Sequence, residues 1–328
     1  MVHISILVLN EAVLASIDDP RMMFTGVNEF LEAQGREPVF NIQLVGLSKE
    51  VKLHRGSFTV HTDLLLPELK KTDLIFVPAL AGDLKAGLEK NKDFIPWIIH
   101  HYNKGAQVAS LCIGAFMLAA TGLLNGKRCS THWRYADLFR EMFPEVTLVD
   151  DRIITEEQRV YSSGGANSYW NLLLYLVEKY TGREMAILAA KVYAVEIDRK
   201  SQSPFIMFNG QKGHEDADIR KAQEFIEKNV SEKISVEVLA SRFAIGRRNF
   251  EKRFKKATNN TPVEYIQRVK IEAAKRNLET SRKNVTEVMY DVGYFDSKAF
   301  RMVFKKITGL SPIDYRNKYN KEATVLAL

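Results

Sequence analysis

The sequence predicts two domains, an α/β domain with a mostly parallel sheet and, after it, an all-α domain with two helix-turn-helix units. Short apolar runs alternate with helical patterns in the first part of the chain. The last third contains a tandem repeat and most of the excess positive charge. A length of 328 residues also exceeds the usual size of one domain, about 100 to 200 residues.

Four short apolar runs predict buried strands in the first domain. They cover residues 4–9, 40–47, 74–80 and 107–112. Helical patterns alternate with them at residues 22–33, 94–102, 114–120 and 168–180. Because uniformly apolar runs are typical of parallel strands with both faces covered, we predict a flavodoxin-like parallel sheet covered by helices.

A sharp turn from strand to helix is predicted at Cys112, in the run SLCIGAFMLAATGLL, where Gly114 follows closely. This order has the shape of a nucleophile elbow. Backbone N–H groups and the dipole at a helix start favour a thiolate, and His132 in CSTHW is a candidate neighbour. The alternative is that Cys112 is a small residue buried by packing and that His132 is a structural histidine. Cys112 and His132 are therefore catalytic candidates that compete with a packing role.

Other polar features of this domain do not predict a metal or cofactor site. His100 and His101 are adjacent, so on a helix they point about 100° apart and make poor joint ligands. Gly164 and Gly165 precede a helix and are interpreted either as an anion-binding turn or as an ordinary turn. We expect neither a metal ion nor a cofactor.

Composition also predicts the domain boundaries. Residues 198–217 are polar and contain Pro204, Gly210 and Gly213, which favours a linker. The apolar residues 205–208 interrupt it, and we expect them to dock on one domain. The predicted organisation is an α/β domain, a linker, an all-α domain and a tail, at residues 1–197, 198–217, 218–319 and 320–328.

The last third of the chain contains a tandem repeat. Its two copies share the pattern F-x-x-x-F-K-K-x-T-x-x-[TS]-P-x-[ED]-Y, and every matched pair is 50 residues apart. The identical pairs are Phe250/Phe300, Phe254/Phe304, Lys255/Lys305, Lys256/Lys306, Thr258/Thr308, Pro262/Pro312 and Tyr265/Tyr315. Agreement at this density is not expected by chance, although a duplication could be purely architectural.

Each copy is preceded by a predicted helix and a tight turn. SVEVLASRF, which Ser235 can cap, leads into the helix RRNFEKRFKKAT. VTEVMYDVG, which ends at Gly293, leads into SKAFRMVFKKIT. Between them Pro262 begins a connecting helix of about 19 residues, roughly 28 Å long at ~1.5 Å per residue. Two helix-turn-helix units held by this rod could enter successive major grooves, which repeat about every 34 Å.

Positive charge is concentrated around the repeat. Residues 218–328 contain 24 Lys and Arg against 14 Asp and Glu, whereas residues 1–217 contain 23 against 26. A basic domain beside a mildly acidic one favours a polyanionic partner, although basic surfaces also serve solubility.

Residues 218–319 resemble the DNA-binding domain of AraC/XylS-type transcriptional regulators. The resemblance depends on the two helix-turn-helix units, the paired F-K-K tails and the run DVGYFDSKAFRMVFKKITGLSPIDYR. It implies transcriptional control, with the second helix of each unit in the major groove of promoter DNA. Gly246 departs from the family, which commonly has Ser or another capping residue there, so we expect a looser helix start.

The resemblance also indicates the side chains that would contact DNA. The base-edge candidates are Arg247, Arg248, Glu251, Lys252, Ser297, Lys298 and Arg301. The phosphate candidates are Lys255, Lys256, Lys305 and Lys306. Any one of them could instead be only a solvated charge on a helix.

Residues 3–197 resemble the PfpI-type branch of the class I glutamine-amidotransferase-like superfamily, through VPALAG, the run around Cys112, CSTHW and SSGGANSYWNLLLYLVEKY. The superfamily includes hydrolases, hydratases and chaperone-like proteins, and one branch is fused to AraC-type domains. In the enzymes an acidic residue near the first strand usually controls the proton of the cysteine, but Ser16 stands there, and Ile113 replaces the His of protease-like members. Nearby acids that could substitute, from other positions, are Glu11, Asp18 and Asp19. We therefore expect a non-catalytic domain.

Three functions are compatible with these features. The first is a transcription regulator that binds promoter DNA as a homodimer, senses a small-molecule effector or a partner, and contacts RNA polymerase. The second is a Cys112-dependent enzyme of hydrolase, amidase or hydratase type fused to a DNA-binding domain. The third is redox sensing at Cys112. The regulator is the function that we expect.

The sequence also indicates a cytoplasmic protein without a membrane partner. Its start lacks a basic leader, and no apolar run is long enough for a membrane span. Its two cysteines, Cys112 and Cys129, have neither CxxC spacing nor a disulfide framework, which fits a reducing compartment.

Overall fold

The computed structural model describes residues 1–320, and within these the chain forms two compact units. The first is Met1–Gln202, and the second begins at Ser203. Residues 198–217, predicted as a linker, are thus divided between the units. Apart from Asn320, the predicted tail 320–328 lies outside the described residues.

A seven-stranded sheet forms the centre of the first unit, in the order β10-β11-β7-β6-β1-β2-β5. Its strands are β1 (Val2–Val8), β2 (Phe40–Gly46), β5 (Leu64–Leu65), β6 (Leu74–Val77), β7 (Gln107–Ser110), β10 (Ile154–Glu157) and β11 (Val160–Ser163). Every pairing in this sheet is parallel except β10 with β11. Two small additional sheets pair β3 (Glu50–Leu53) with β4 (Phe58–His61) and β8 (Arg128–Cys129) with β9 (Thr147–Leu148).

Seven helices belong to the described first unit. They are α1 (Ala15–Ala33), α2 (Leu84–Lys90), α3 (Phe94–Asn103), α4 (Ala115–Ala120), α5 (Ala136–Met142), α6 (Tyr169–Thr181) and α7 (Arg183–Val192). Helix α1 packs with α6 and α7, whereas α4 packs with α2 and α3. Strands β6 and β11 are buried along their whole length, as expected when both faces of a sheet are covered. The predicted flavodoxin-like architecture is therefore confirmed.

The second unit is helical throughout its regular elements. Its helices are α8 (Ala217–Lys228), α9 (Val236–Arg242), α10 (Arg247–Thr258), α11 (Pro262–Thr280), α12 (Val285–Asp291), α13 (Ser297–Thr308) and α14 (Pro312–Tyr319). They form two hydrophobic cores that share α11. Tyr265 and Ile266 of α11 belong to the first core, and Ile271 and Leu278 belong to the second. One helix therefore connects two helix-turn-helix units, as the sequence predicts.

Some elements differ from the sequence-based expectations. Helix α1 begins at Ala15 rather than near residue 22, and it contains Pro20. A proline in the first two turns of a helix removes few backbone hydrogen bonds. The antiparallel edge strand β10 was not predicted, because its last three residues, TEE, are polar or charged. Within the described residues, none of the helices has the length and apolar character needed to cross a bilayer.

Candidate nucleic-acid interface and cysteine pocket

The repeated aromatic residues form the same packing arrangement in each helix-turn-helix unit. In the first unit, the ring centroids of Phe250 and Phe254 are 5.6 Å apart, and those of Phe254 and Tyr265 are 5.3 Å apart. In the second unit, the corresponding distances among Phe300, Phe304 and Tyr315 are 5.7 and 5.5 Å. All these side chains are fully or almost fully buried. The repeat therefore specifies two copies of one folding module.

The repeated threonines close the second helix of each module. Thr258 Oγ1 donates to the Phe254 carbonyl at 2.8 Å, and Thr308 Oγ1 donates to the Phe304 carbonyl at 2.9 Å. The next residue, Asn259 or Gly309, has the left-handed conformation common at helix C-termini. The backbone thus leaves both helices in the same direction relative to its own module.

Helix α10 presents the predicted base-contact residues of the first module. Arg247, Arg248 and Lys252 are exposed, whereas Glu251 is half-buried. Arg247 forms ion pairs with Glu237 at 2.5 Å and with Glu251 at 3.1 Å. Arg247 and Glu251 are therefore paired with each other.

The start of α10 has no side-chain cap at Gly246, which agrees with the expected looser helix start. Helix α13 differs, because Asp296 Oδ1 accepts from the N–H groups of Lys298 at 2.8 Å and Ala299 at 3.1 Å. Ser297, Lys298 and Arg301 are all exposed at this capped end. The two modules thus present exposed cations at corresponding positions, with a firmer helix start in the second.

The predicted phosphate contacts lie in the last turns of the same helices. Lys255 and Lys256 end α10, and Lys305 and Lys306 end α13. All four side chains are exposed. They occupy matched positions in the repeat, which is suited to contacting a backbone that continues past both modules.

Arg253 was not among the sequence-based candidates, and it fixes α10 against the start of α8. Its guanidinium donates to both carboxylate oxygens of Asp216, at 2.9 and 2.7 Å, and to Asp218 at 2.9 Å. Asp216 also caps α8 through the Ile219 N–H. The arginine lowers the pKa of Asp216 below its usual value. Its spacing of 37 residues from Asp216 explains why local patterns did not reveal this pair.

Lys270 was also missed, and it joins the two modules. Its buried ammonium donates to the carbonyls of Val230 at 2.7 Å, Glu232 at 2.9 Å and Val292 at 2.7 Å. Burial lowers the pKa of Lys270 to about 8. Gly293 lies in the left-handed region at φ 66°, where a β-carbon would overlap the Ser231 carbonyl. The loop before α9 therefore packs closely on the end of α12.

Phe295 is an exposed aromatic residue immediately before the cap of α13. It is 72% exposed and contacts the ring of Tyr290 at a centroid distance of 6.0 Å. Large exposed apolar side chains beside a recognition helix can contact thymine methyl groups. The run GYFD contained this signal, because it places an aromatic residue in a turn.

Cys112 lies at a strained turn between β7 and α4. Its φ is 54°, and its N–H donates to Ser163 Oγ at 3.1 Å. A β-carbon at Gly114 would overlap the carbonyl oxygens of Val77 and Pro78, so this position requires glycine. The predicted elbow geometry is therefore present.

The chemistry at Cys112 differs from that of an activated nucleophile. Burial raises the pKa of its thiol, although the N–H groups of Ala166 and Ile113 oppose this effect. His132 accepts from the Arg134 N–H at 3.1 Å through Nδ1 and packs against Gly165. Within residues 1–320, no hydrogen bond joins His132 to the Cys112 sulfur. Thiol and imidazole thus lie in one region without a hydrogen bond between them.

The residues considered as acidic partners have other contacts. Ser16 is buried, donates to the Val13 carbonyl at 2.6 Å and accepts from the Ala79 N–H at 3.0 Å. Glu11 pairs with Lys90 at 2.8 Å. Asp19 accepts from Tyr169 Oη at 2.5 Å, and burial raises its pKa. Ser16 therefore supports the backbone where the enzymes of the superfamily would use an acid.

Gln202 occupies the turn that the sequence offered as an anion site. Its Oε1 accepts from the Gly165 N–H at 3.1 Å, and its Nε2 donates to the carbonyls of Asp150 at 2.7 Å and Thr131 at 2.9 Å. Gln202 is almost fully buried, so this turn binds a side chain of the protein itself. No group of three His, Cys, Asp or Glu suited to a metal occurs in the part of the chain that the structure describes.

Comparison with known proteins divides the chain in a similar way. Residues 239–318 match the family described as a helix-turn-helix domain, and residues 27–179 match the DJ-1/PfpI family. The HTH-type transcriptional regulator ArgR of Pseudomonas aeruginosa is 26% identical over 65% of this chain and 65% of its own length. GbdR of the same organism, also an HTH-type transcriptional regulator, is 23% identical over 69% of this chain and 61% of its own length.

A solved structure shares the fold of part of this chain. The AraC family transcriptional regulator from Pseudomonas putida has a TM-score of 0.50 at 20% identity, covering 59% of this chain and all of that chain. Among the curated regulators named above, the chain spans 65% of the length of ArgR and 61% of the length of GbdR. Taken with the two helical modules and the parallel sheet, these matches assign a helix-turn-helix domain to residues 239–318 and a DJ-1/PfpI-like domain to residues 27–179.

Proposed function

We propose that this protein is a sequence-specific, DNA-binding transcription regulator and that its first unit senses a ligand or mediates dimerisation. One observation carries the proposal: α10 and α13 bury their repeated phenylalanines and expose cations at matched positions. A purely architectural duplication requires the buried residues but gives no reason for repeated exposed cations. The regulators named among the relatives support the same function.

The exposed residues divide into two roles. The base-edge contacts are Arg247, Arg248, Glu251, Lys252, Ser297, Lys298 and Arg301. The phosphate contacts are Lys255, Lys256, Lys305 and Lys306. Since Arg247 is paired with Glu237 and Glu251, it must exchange these partners to donate to a guanine. The second module, whose Arg301 forms no ion pair among the described residues, is better prepared for direct readout.

The partners follow from this role. Promoter DNA is the first, and a small-molecule effector, RNA polymerase and a second copy of the chain complete the proposed set. A protein that regulates chromosomal genes works in the cytoplasm of a bacterial cell.

We assign no catalytic activity to the first unit. The raised pKa of Cys112 keeps its thiol protonated near neutral pH, and Ser16 supplies no carboxylate. Both features disfavour cysteine-dependent hydrolysis or hydration.

Genome-wide mapping of bound sites, followed by gel-shift assays on the recovered DNA, tests the proposal. Arg301→Ala should weaken the free energy of binding to the preferred site by about 1–3 kcal/mol and relax the base preference at one position of that site. Lys305→Ala should weaken binding to all sequences. It should also reduce, by about 1, the slope of log affinity against log salt concentration. Arg36→Ala, which removes an exposed arginine of the first unit, is the control and should change neither quantity. An affinity that shows no sequence preference and does not depend on salt would refute the proposal.

A further inference from the structure

The first unit contains a cleft whose lining includes neither Cys112 nor His132. It lies between α6 and residues 197–200, beside the start of β10, and has a volume of about 280 Å³. Leu174, Ile154 and Ile197 line its apolar part. This volume suits a small metabolite rather than a peptide.

Asn171, which lines the cleft, has a buried acceptor without a partner among the described residues. Asn171 is 6% exposed, and its Nδ2 donates to the Glu196 carbonyl at 2.8 Å. This bond orients the amide, so that Oδ1 is the free acceptor. Within the described residues Oδ1 forms no hydrogen bond. Because a buried acceptor without a donor is unfavourable, a ligand that supplies an O–H or N–H would gain free energy there.

The charges around the cleft favour an anion. Its two acidic residues, Glu178 and Asp198, already accept from Arg183, at 2.7 and 2.5 Å. Arg152 and Lys200 also line the cleft, and neither forms an ion pair among residues 1–320. Both acids are therefore paired with Arg183, and the three cations of the lining, Arg152, Arg199 and Lys200, exceed its two acids by one charge.

We propose that this cleft binds a small carboxylate that carries a hydroxyl or amino group on the neighbouring carbon and a short alkyl chain. Arg152 and Lys200 bind the carboxylate, Asn171 Oδ1 accepts from the hydroxyl or amino group, and the alkyl chain packs on Leu174 and Ile197. The identification of this ligand as the effector rests on the proposed function, whereas its binding does not.

The position of the cleft suits an effector. Residues 197–200 form one wall and lead directly to Gln202, the last residue of the first unit. A ligand that bridges Asn171 and these residues would order the end of the unit. Ligand binding could then change the conformational preference of the segment that follows.

The test uses the full chain and three matched probes. These are 2-hydroxy-4-methylpentanoate, 4-methylpentanoate, which lacks the donor, and 2-hydroxy-4-methylpentanamide, which lacks the charge. Calorimetry and saturation-transfer NMR should detect binding of the first, with each of the other two weaker by about tenfold or more. The 2-amino acid of the same skeleton should bind as the hydroxy acid does.

Two variants locate the binding. Asn171→Leu and Arg152→Gln should each weaken binding of the hydroxy acid by about tenfold, whereas Arg36→Gln, at an exposed arginine outside the cleft lining, should not. Arg152 is exposed, so its variant keeps the test valid if Asn171→Leu fails to fold. The proposal would be overturned if neither the hydroxy acid nor the amino acid binds. It would also be overturned if all three probes bind equally, or if Arg152→Gln leaves binding of the hydroxy acid unchanged. No DNA is present in these assays, so their failure is distinct from a failure of the proposed function.

Discussion

At the scale of single residues, Cys112 shows that backbone geometry and side-chain chemistry are separable. The left-handed φ of 54° and the requirement for glycine at position 114 reproduce a nucleophile elbow. Such a turn stores strain wherever it occurs, whether or not the residue reacts. At this turn the thiol is buried, and burial opposes its ionisation. The fold therefore determines the elbow geometry of the backbone at Cys112, but this geometry does not by itself make the thiol reactive.

The thiols give a prediction about pH. Only the thiolate is alkylated, and burial, which raises the pKa of Cys112, keeps its thiol largely protonated at pH 7.5. We expect iodoacetamide to label native Cys112 at least about tenfold more slowly than an unfolded thiol, with a rate that rises with pH beyond 8.5. Cys129, whose pKa burial raises to about 12, should react more slowly still. Mass spectrometry of the labelled peptides measures both rates.

Urea provides the control, because both cysteines should be labelled rapidly once the chain is unfolded. Cys112→Ala should bind DNA as the unmodified protein does. Rapid labelling of native Cys112 at pH 7.5 would contradict this prediction. Peroxide-dependent DNA affinity that Cys112→Ala abolishes would instead favour redox sensing.

The sequence could predict local features of this pocket but not its long-range contacts. SLCIG placed the turn at Cys112, because a strand, a glycine and a helix are adjacent in the chain. Ser163 and Gln202 are 51 and 37 residues from their partners Cys112 and Gly165. No periodicity relates such positions, so the occupied anion turn could not be foreseen. Lys270 and Arg253 in the second unit were missed for the same reason.

At the scale of elements, α11 determines how the two helix-turn-helix modules are held. The sequence predicted its start, its length of about 19 residues and its connecting role, because Thr261 and Pro262 form a strong helix start. The sequence did not reveal that Lys270 of this helix donates hydrogen bonds to three carbonyls, because the lysine lies within the apolar face of the helix. These bonds fix the loop before α9 against the end of α12. The spacing of α10 and α13 therefore depends on a buried ion as well as on helix length.

Lys270→Met tests this dependence. The substitution leaves the carbonyls of Val230, Glu232 and Val292 without their donor, so it should lower the free energy of unfolding by about 2–5 kcal/mol. Urea unfolding followed by circular dichroism measures the change. Without urea, where the variant remains folded, its DNA affinity can be compared with that of the original protein. The loss should be larger for DNA that carries the binding sites of both modules than for DNA that carries the site of one.

Lys233→Met is the matched control, because Lys233 is exposed in the same loop region. Its free energy of unfolding should stay within about 0.5 kcal/mol of the original value. If Lys270→Met proves as stable as this control, the ammonium does not join the modules.

At the scale of the whole molecule, the boundary between the units is sharper than composition suggested. Gln202 is held within the first unit by the Gly165 N–H and three carbonyls. The next residues pack on helices of the second unit, where buried Lys275 donates to the Ile206 carbonyl at 2.7 Å. Phe208 packs on Tyr265 with a centroid distance of 5.1 Å. Polar composition predicts a linker at residues 198–217, but composition alone cannot reveal docking by a few backbone and aromatic contacts.

Two fragments of the second unit should therefore differ in stability. Residues 203–328 keep Phe208, the carbonyl bound by Lys275 and the α8 cap Asp216, whereas residues 218–328 lose all three. We expect the shorter fragment to be less stable by about 2–4 kcal/mol and the longer one to retain the DNA preference of the full chain. Urea unfolding and gel shifts measure these properties. In the longer fragment, Phe208→Ala should reproduce part of the loss, and Met207→Ala, at an exposed position, should not. Equal stability of the two fragments would mean that residues 203–217 only tether the units.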